Sequence, residues 1–560
     1  MRSTGAPLHQ SASRLRPGAG CARAEGQAGS TRTDQHQDGL RPPGRYRLSF
    51  RATMSVRPVA VHRRDPTADD AGGRPQHRLR ASRRDPARRN SHRVEEPMIG
   101  AYRGGSSRMT ETTRRVPTCA GPVIGTIEDG LSVFRGIPYA AAPFGENRFR
   151  APRPPAPWTD PFEAFTFGAT SPQVTHAAAG GLPDVPEPII PGKDILNLNI
   201  WTAELDPSEP RPVLVWIHGG GFYAGCSANP WYDGASFAGQ GLVFVSINYR
   251  LGAEGFLECE GADTNRGLLD WLAALNWVRE NIAAFGGNPA DVTVMGQSAG
   301  GIAVGALLSA PRAAGLFRRA IIASGVLDAS RTRTLAESGE LTEELARITG
   351  AAPHRESMLR VPPDTLAREH FQLISKSVRG GAPTSSFSWT PVIDGDLIPR
   401  SLTQAVRTGM TSAVPMLLGT TENESTWGSL RKGHYTDEGF RRGQEVTDRR
   451  FRRPTDELAR DRVGQGGAPT FRYEFQWKSA AERYILSAHS LDIPFFFNTL
   501  DAPYVAEFTG PNPPRSVARL MHEGFARFAK TGDPGWPPFD DFDSVMLMDT
   551  KPRLAAGVTF

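Results

Sequence analysis

The sequence predicts an α/β fold in which a central, mostly parallel sheet is flanked by helices. From residue 119 onward, short β-rich runs are followed by longer segments of helical periodicity, which is typical of parallel strands joined by helices. Near the middle of the chain, residues 291–295 form a Val- and Thr-rich run that leads directly into Gly-Gln-Ser-Ala-Gly at residues 296–300. Such a run followed by small residues predicts a strand, a sharp turn and a closely packed helix.

The individual elements are predicted from the spacing of apolar residues. Residues 265–285 place apolar side chains close to helical spacing and end at two glycines, so they predict a helix that delivers the chain to the strand before the sharp turn. The predicted strands are short apolar runs at residues 131–135, 195–201, 213–217, 242–247, 320–323, 414–418 and 470–477.

The charge of the 560-residue chain is unevenly distributed. Residues 1–108 contain 22 Arg, no Lys and nine acidic residues, a net charge of +13, whereas the whole chain carries +6. With scattered Gly and Pro and almost no apolar periodicity, this segment predicts a disordered, Arg-rich extension. The folded domain is predicted to span residues 109–560. In a second interpretation the natural start is Met109, and the upstream residues are a mispredicted extension.

Composition also bears on partners and cofactors. The extension lacks interleaved aromatic residues and any recognised motif, so nucleic-acid binding is disfavoured. No apolar run approaches the ~18 residues of a membrane span, and no signal-peptide core follows Met1 or Met109, so a cytoplasmic protein without membrane contact is expected. The four Cys and twelve His show no metal-ligand spacing, and neither a metal nor an organic cofactor is expected. The sequence leaves the oligomeric state open.

Ser298 lies at the sharp turn and is a candidate nucleophile. A serine hydroxyl reacts poorly unless the turn projects it clear of the backbone, and glycine on both sides removes the side chains that would crowd such a turn. The motif alone is weak, because a glycine-rich strand-to-helix turn also occurs without catalytic function. The Val- and Thr-rich strand before it and the small residues after it strengthen the prediction.

A second glycine-rich loop follows the predicted strand at residues 213–217. Its sequence is His218 followed by three glycines and Phe222, and such a loop presents bare backbone N–H groups. A tetrahedral oxyanion is stabilised by such donors, so Gly220, Gly221 and Ala299 are predicted to form an oxyanion hole. His218 is interpreted as a brace for this loop, with proton transfer as the alternative role.

Several further motifs follow in one order between residues 116 and 550. Together they resemble the type-B carboxylesterases, the cholinesterase-like branch of the α/β-hydrolases, and the α/β-hydrolase fold is implied. The motifs are Phe-Arg-Gly-Ile-Pro-Tyr-Ala at 134–140, Arg-Phe at 148–149, Leu-Asn-Leu-Asn-Ile at 196–200, Asn-Tyr-Arg-Leu-Gly at 248–252, Gly-Leu-Leu-Asp at 267–270 and Thr-Gly-Asp-Pro at 531–534.

The resemblance implies a serine hydrolase that cleaves carboxylic esters through an acyl-enzyme, with a catalytic triad in the order Ser, Glu, His. In this chain the matching residues are Ser298, Glu424 and His489, with Glu422 as a nearby decoy. The substrate would be a small-molecule ester. The family also contains catalytically silent proteins that bind partners; such proteins usually lack a triad member, whereas all three residues are present here.

The pocket is less well specified than the triad. Phe222, Trp231, Tyr232 and Trp427 are candidate apolar wall residues, with the hydrophobic core as the equally weighted alternative. The position before the nucleophile is Gln297, where choline-hydrolysing members of the family have Glu, so choline esters are disfavoured. The acyl and alcohol groups of the substrate are not specified by the sequence.

Overall fold

A computed structural model describes residues 112–174, 187–326, 332–379, 389–430, 435–540 and 542–556. The predicted extension over residues 1–108 lies outside the described residues. The described strands are β1 Thr113–Pro117, β2 Pro122–Glu128, β3 Leu131–Pro138, β4 Phe162–Glu163, β5 Asn197–Thr202, β6 Arg211–Ile217, β7 Val243–Ile247, β8 Gly287–Gln297, β9 Arg319–Ala323, β10 Arg333–Thr334, β11 Val392–Ile393, β12 Met416–Thr421, β13 Thr470–Phe475, β14 Val545–Met548 and β15 Arg553–Ala555.

The helices alternate with these strands. They are α1 Ala235–Gly239, α2 Gly252–Phe256, α3 Arg266–Asn281, α4 Ala299–Ser309, α5 Leu335–Thr349, α6 Arg355–Met358, α7 Pro363–Arg379, α8 Leu402–Arg407, α9 Thr426–Ser429, α10 Asp437–Thr447, α11 Arg453–Gln465, α12 Ile493–Phe496, α13 Val505–Thr509 and α14 Arg515–Thr531. A π-helical turn, Asp448–Arg452, joins α10 to α11.

One large sheet organises the domain. Its described strands lie in the order β1-β2-β3-β5-β7-β6-β8-β9-β12-β13-β14-β15, with β4 beside β2. Within this order, every neighbouring pair in the run β7-β6-β8-β9-β12-β13-β14 is parallel. Antiparallel strands extend the sheet at both ends. Parallel strands covered by helices bury both faces, and β6, β7 and β9 are accordingly apolar throughout most of their length. The predicted α/β fold is confirmed.

Each predicted strand run overlaps a strand of the sheet, and the predicted helix over residues 265–285 is α3 followed by the 3₁₀ turn Ile282–Phe285. Two apolar clusters lie within the fold. One includes Phe222 and Trp271, and the other includes Trp216 and Phe496. The carboxyl ends of the parallel strands lie at one edge of the sheet, where loops from different parts of the chain meet. Among the described residues no helix combines the length and apolar character needed to cross a membrane.

Candidate active site

Ser298 occupies a strained turn between β8 and α4. Its backbone has φ 55° and ψ −122°, a left-handed conformation that is uncommon for a residue other than glycine. Its N–H donates to the carbonyl of Ala323 on β9 at 2.9 Å, and its carbonyl accepts from Ile302 in the first turn of α4. The surrounding hydrogen bonds therefore hold the strained turn in place, as expected of a site where a side chain must project from the sheet.

Close packing of the turn requires glycine on both sides. A Cβ atom on Gly300 would lie 1.9 Å from the carbonyl oxygen of Ile217, and one on Gly296 would lie 2.2 Å from the carbonyl oxygen of Gly300. Both distances are far below van der Waals contact. Only glycine at these positions lets α4 begin directly against the end of β6.

The glycine loop after β6 lies beside the turn. A Cβ on Gly219 would be 3.3 Å from the Cβ of Ser298, which places the loop next to the candidate nucleophile. Gly220, Gly221 and Phe222 all have positive φ, at 109°, 60° and 62°. The carbonyl of Gly220 accepts from the N–H groups of Tyr223 and Ala224. Among the described residues, no hydrogen bond uses the N–H groups of Gly220 and Gly221, so both are available to a ligand.

His218 and Tyr249 fix this loop from behind. The two rings stack with centroids 4.5 Å apart, and the Tyr249 hydroxyl donates to the carbonyl of His218 at 3.0 Å. His218 Nδ1 lies 2.8 Å from the carbonyl oxygen of Gly219, so this nitrogen carries the proton and donates. Burial lowers the pKa of His218 to about 4, and the ring is therefore neutral at pH 7. These contacts favour the brace interpretation over proton transfer.

Glu424 and His489 form a direct hydrogen bond. His489 Nδ1 lies 2.5 Å from Glu424 Oε2, and the other carboxylate oxygen accepts from the N–H of Thr421 at 2.8 Å. Glu424 is buried, whereas the His489 side chain is 19% exposed. The decoy Glu422 instead points to Lys478, 3.3 Å away. The structure therefore pairs His489 with Glu424 and not with Glu422.

Two hydrogen bonds align the acid turn with the histidine segment. The N–H of Asn423 donates to the carbonyl of Ser487, and the N–H of Ser487 donates to the side-chain oxygen of Asn423. Burial by itself would lower the pKa of His489, but the charge and hydrogen bond of Glu424, with a smaller contribution from Asp492, raise this pKa above its usual value. An imidazole with a raised pKa binds a proton readily.

Gln297 connects the turn to the histidine. Its Nε2 lies 3.4 Å from His489 Nε2 and donates to Ser490 Oγ at 3.1 Å. Because Gln297 immediately precedes Ser298, His489 Nε2 faces the same end of β8 as the candidate nucleophile. The structure thus brings all three predicted triad residues to one edge of the sheet.

The four predicted wall residues lie in different surroundings. Phe222 is buried, with its ring 4.9 Å from that of Phe256, and Trp231 is buried and stacked on Phe508 at 5.8 Å. Both residues pack as core residues do, and their role as pocket walls stays a prediction. Tyr232 is also buried, and it lines a cavity of about 370 Å³ whose wall includes none of the three triad residues. Trp427, on α9, is partly buried.

Other side chains around the site carry no clear signal in the sequence. The ring of Phe451 lies 5.3 Å from that of His489, and the π-helical turn places it there. Tyr223 follows the glycine loop and contacts Phe371 with ring centroids 6.1 Å apart. Asp492 lies three residues after His489 and is buried. Only Tyr223 was within reach of sequence reasoning, because it is adjacent to the loop motif.

Comparison with known proteins agrees with this geometry. Residues 112–438 match the model of the carboxylesterase family. The para-nitrobenzyl esterase of Bacillus subtilis (strain 168) is 32% identical over 486 residues, which is 79% of this chain and 96% of that protein. The phenmedipham hydrolase of Pseudarthrobacter oxydans is 34% identical over 479 residues, which is 77% of this chain and 94% of that protein.

Solved structures that resemble this chain are also carboxylesterases. The carboxylesterase EST55 of Geobacillus stearothermophilus is 33% identical, with a TM-score of 0.68 over 79% of this chain and 98% of that one. A para-nitrobenzyl esterase is 31% identical, with a TM-score of 0.69 over 80% of this chain and 98% of that one.

Fold and comparisons together define an α/β-hydrolase that cleaves carboxylic esters. The chain belongs to the carboxylesterase family.

Proposed function

We propose that this protein hydrolyses small carboxylic esters through an acyl-enzyme, with Ser298 as nucleophile, His489 as general base and acid, and Glu424 as the residue that orients His489. The observation that carries the proposal is the Glu424–His489 hydrogen bond, because the second imidazole nitrogen lies 3.4 Å from the side chain of Gln297, the residue before the strained turn at Ser298. A nucleophile, a base and an orienting acid in this arrangement define triad catalysis on any fold.

The reaction proceeds in two halves. His489 Nε2 takes the hydroxyl proton as Ser298 Oγ attacks the ester carbonyl, and the carbonyl π electrons move onto oxygen. The tetrahedral intermediate collapses to an acyl-serine, and the leaving alcohol receives the proton from His489. Water then attacks the acyl group with His489 again as base, which releases the carboxylic acid and regenerates Ser298. Glu424 stabilises the imidazolium that forms in each half.

The oxyanion is assigned to the N–H groups of Gly220, Gly221 and Ala299. The first two are free to donate, and Ala299 begins α4, where a backbone N–H has no partner within the helix. Each donor aimed at an oxyanion contributes roughly 10²- to 10³-fold in rate. The hydrogen bonds to the Gly220 carbonyl and the bond from Tyr249 to the His218 carbonyl hold the glycine loop in place before substrate arrives.

We propose uncharged esters that carry an aryl group as the substrate class. Tyr223, Phe451 and the partly buried Trp427 supply aromatic surface near the site, and Gln297 is a neutral amide. The names of the two relatives, a para-nitrobenzyl esterase and a phenmedipham hydrolase, support this substrate class. No observation favours the silent, partner-binding alternative, and a cytoplasmic location remains a prediction.

The test combines covalent labelling with turnover. Intact mass is measured after exposure to a serine-directed organophosphate, alongside hydrolysis of a short p-nitrophenyl ester. We expect a single adduct on the wild type, loss of that adduct in Ser298→Ala, and a fall in kcat of roughly 10⁴ or more.

Ser309→Ala is the matched control, because this serine lies on the same helix and its hydroxyl donates to the carbonyl of Gly305. It should keep both the adduct and the activity. A folded wild type with neither adduct nor turnover would favour the silent alternative, and an adduct retained in Ser298→Ala would assign the nucleophile elsewhere.

A further inference from the structure

Asp492 is a third acid beside the triad, and the reaction described above does not use it. Its side chain is fully buried, and Oδ1 has no hydrogen-bond partner within the described part of the chain. Asp492 precedes α12, where an aspartate commonly caps the helix through its side chain. Here it makes no such cap bond, and only its backbone carbonyl accepts from Phe495 and Phe496. The carboxyl group therefore forgoes its usual local partner.

Tyr473, on β13, holds this carboxyl group on its other oxygen. The Tyr473 hydroxyl donates to Asp492 Oδ2 at 3.1 Å, and both side chains are buried. The ring of Tyr473 lies directly over Gly419 on β12, where a Cβ atom would be only 1.8 Å from Cε1 of the tyrosine. A glycine on the strand that leads to Glu424 is therefore needed for Tyr473 to reach Asp492.

The surroundings of Asp492 favour its protonated form below neutral pH. Burial, and then the charge of Glu424, raise the pKa of Asp492 to about 7, while His489 and the Tyr473 hydrogen bond act in the opposite direction. The titratable groups that face it are Glu424 from the turn after β12, Tyr473 from β13, and His489 from its own segment. Two ionised carboxylates beside one imidazole would repel each other unless the imidazole carried a proton.

We propose that Asp492 is a positioning residue that sets the charge beside the Glu424–His489 pair, and that Tyr473 holds it there. This inference rests on the proposed function of that pair. With Asp492 neutral, Glu424 provides the single negative charge that orients a neutral His489. When Asp492 loses its proton, a second negative charge lies near the imidazole, and His489 keeps its own proton to higher pH. Asp492 thus moves the acid limb of activity upward.

The experiment is the pH dependence of kcat/KM for a short p-nitrophenyl ester, because this profile reports ionisations of the free enzyme. Asp492→Asn removes the titrating group with little change in volume. We expect the midpoint of the acid limb to move to lower pH by roughly half a unit to one unit. Tyr473→Phe removes the hydrogen bond that lowers the pKa of Asp492, so the midpoint should move in the same direction and by less.

Asp501→Asn is the matched control, because Asp501 is an exposed carboxylate that pairs with Arg515. It should leave the midpoint unchanged. Midpoints do not depend on the fraction of active enzyme, so partial loss of folded protein would not imitate the shift. An Asp492→Asn midpoint equal to that of an active wild type would overturn this inference and leave the proposed function intact, whereas full turnover in Ser298→Ala would overturn the proposed function itself.

A measurement that leaves Asp492 and Tyr473 unchanged covers the case in which neither of their variants folds. Infrared difference spectra recorded across the titration of Glu258→Gln should show a protonated carboxylic acid that loses its proton near pH 7, because this variant removes the other buried acid whose pKa is raised to about 7. The absence of such a band in folded Glu258→Gln would show that Asp492 does not change its charge across this pH range, and would overturn the inference.

Discussion

The candidate site has two halves, one formed by backbone groups and the other by side chains. The half around Ser298 consists of backbone groups. They are a strained turn, a glycine loop with three positive φ values, and N–H groups that have no acceptor within the described residues. The half around His489 consists of side chains. Glu424 acts on the imidazole through its charge and a hydrogen bond, Asp492 acts through its charge, and Tyr473 donates a hydrogen bond to Asp492.

This difference determines what each half tolerates. Backbone donors do not titrate, and His218 behind them is neutral at pH 7 because burial lowers its pKa to about 4. The backbone half should therefore be insensitive to pH and very sensitive to added atoms. The side-chain half should accept substitutions of equal volume but respond strongly to changes of charge.

The largest expected effect comes from the side-chain half. Glu424→Gln keeps the volume but removes the charge that holds the His489 tautomer, so kcat should fall by roughly 10³- to 10⁴-fold. Glu422→Gln is the matched control and should change kcat by less than about twofold, because its carboxylate faces Lys478. Steady-state kinetics at one pH measure both values of kcat. Equal losses of kcat in the two variants would contradict the assignment of Glu424.

The backbone half is tested by adding one methyl group. In Gly220→Ala the new Cβ would lie 1.9 Å from the backbone oxygen of Ala224, and φ is 109°, so the loop must move. Displacing one donor should lower kcat by roughly 10²- to 10³-fold. Gly339→Ala, on α5 with no atom within 4 Å of the new Cβ, should leave kcat unchanged. Circular dichroism separates a displaced loop from global unfolding, and unchanged kcat in Gly220→Ala would exclude this loop from the reaction.

The stability of the side-chain half should depend on pH through Asp492. Its pKa is about 7 in the folded protein and about 3.9 in an unfolded chain, so the folded state binds the proton more tightly. The stabilising contribution of that proton is present below about pH 4 and is lost as pH rises through about 7, by at most about 1.4 kcal/mol per pH unit. Asp492→Asn has no titrating carboxyl group at this position, so its free energy of unfolding should not show this loss.

Urea unfolding at several pH values measures this slope. The free energy of unfolding of Asp492→Asn, relative to the wild type, should rise between about pH 4 and pH 7 and then level off. Asp501→Asn should not show such a rise, since the Arg515 hydrogen bond lowers the pKa of Asp501. A constant difference between Asp492→Asn and wild type would contradict the assignment.

The contact between the two halves gives the smallest expected effect. Gln297 belongs to β8 but lies 3.4 Å from His489, so Gln297→Glu introduces a negative charge beside the imidazole at constant volume. A nearby opposite charge favours the protonated ring, and the acid limb of kcat/KM should move to higher pH by roughly one unit. A profile identical to that of the wild type would mean that Gln297 and His489 are apart in the free enzyme.

Sequence reasoning was most effective where function lies in contiguous residues. Residues 218–222 and 296–300 predicted the glycine loop and the strained turn, because glycine and short apolar runs restrict the backbone locally. The family motifs also selected Glu424 over Glu422, two residues apart. The predicted wall residues show the limit, since an aromatic residue such as Trp231 serves a core and a pocket equally well, and the structure places it against Phe508.

By itself, then, the sequence determined the α/β fold, the order of the candidate triad and the loops that carry it, because these depend on local backbone preferences and on motif order. Tertiary structure alone decided that Tyr473 reaches Asp492 over Gly419, that Gln297 contacts His489, and that a π-helical turn brings Phe451 to the same ring. These contacts join residues far apart in the chain. They depend on which strands are neighbours and how closely side chains pack between them. Neither the strand order nor the packing can be predicted from a short stretch of sequence.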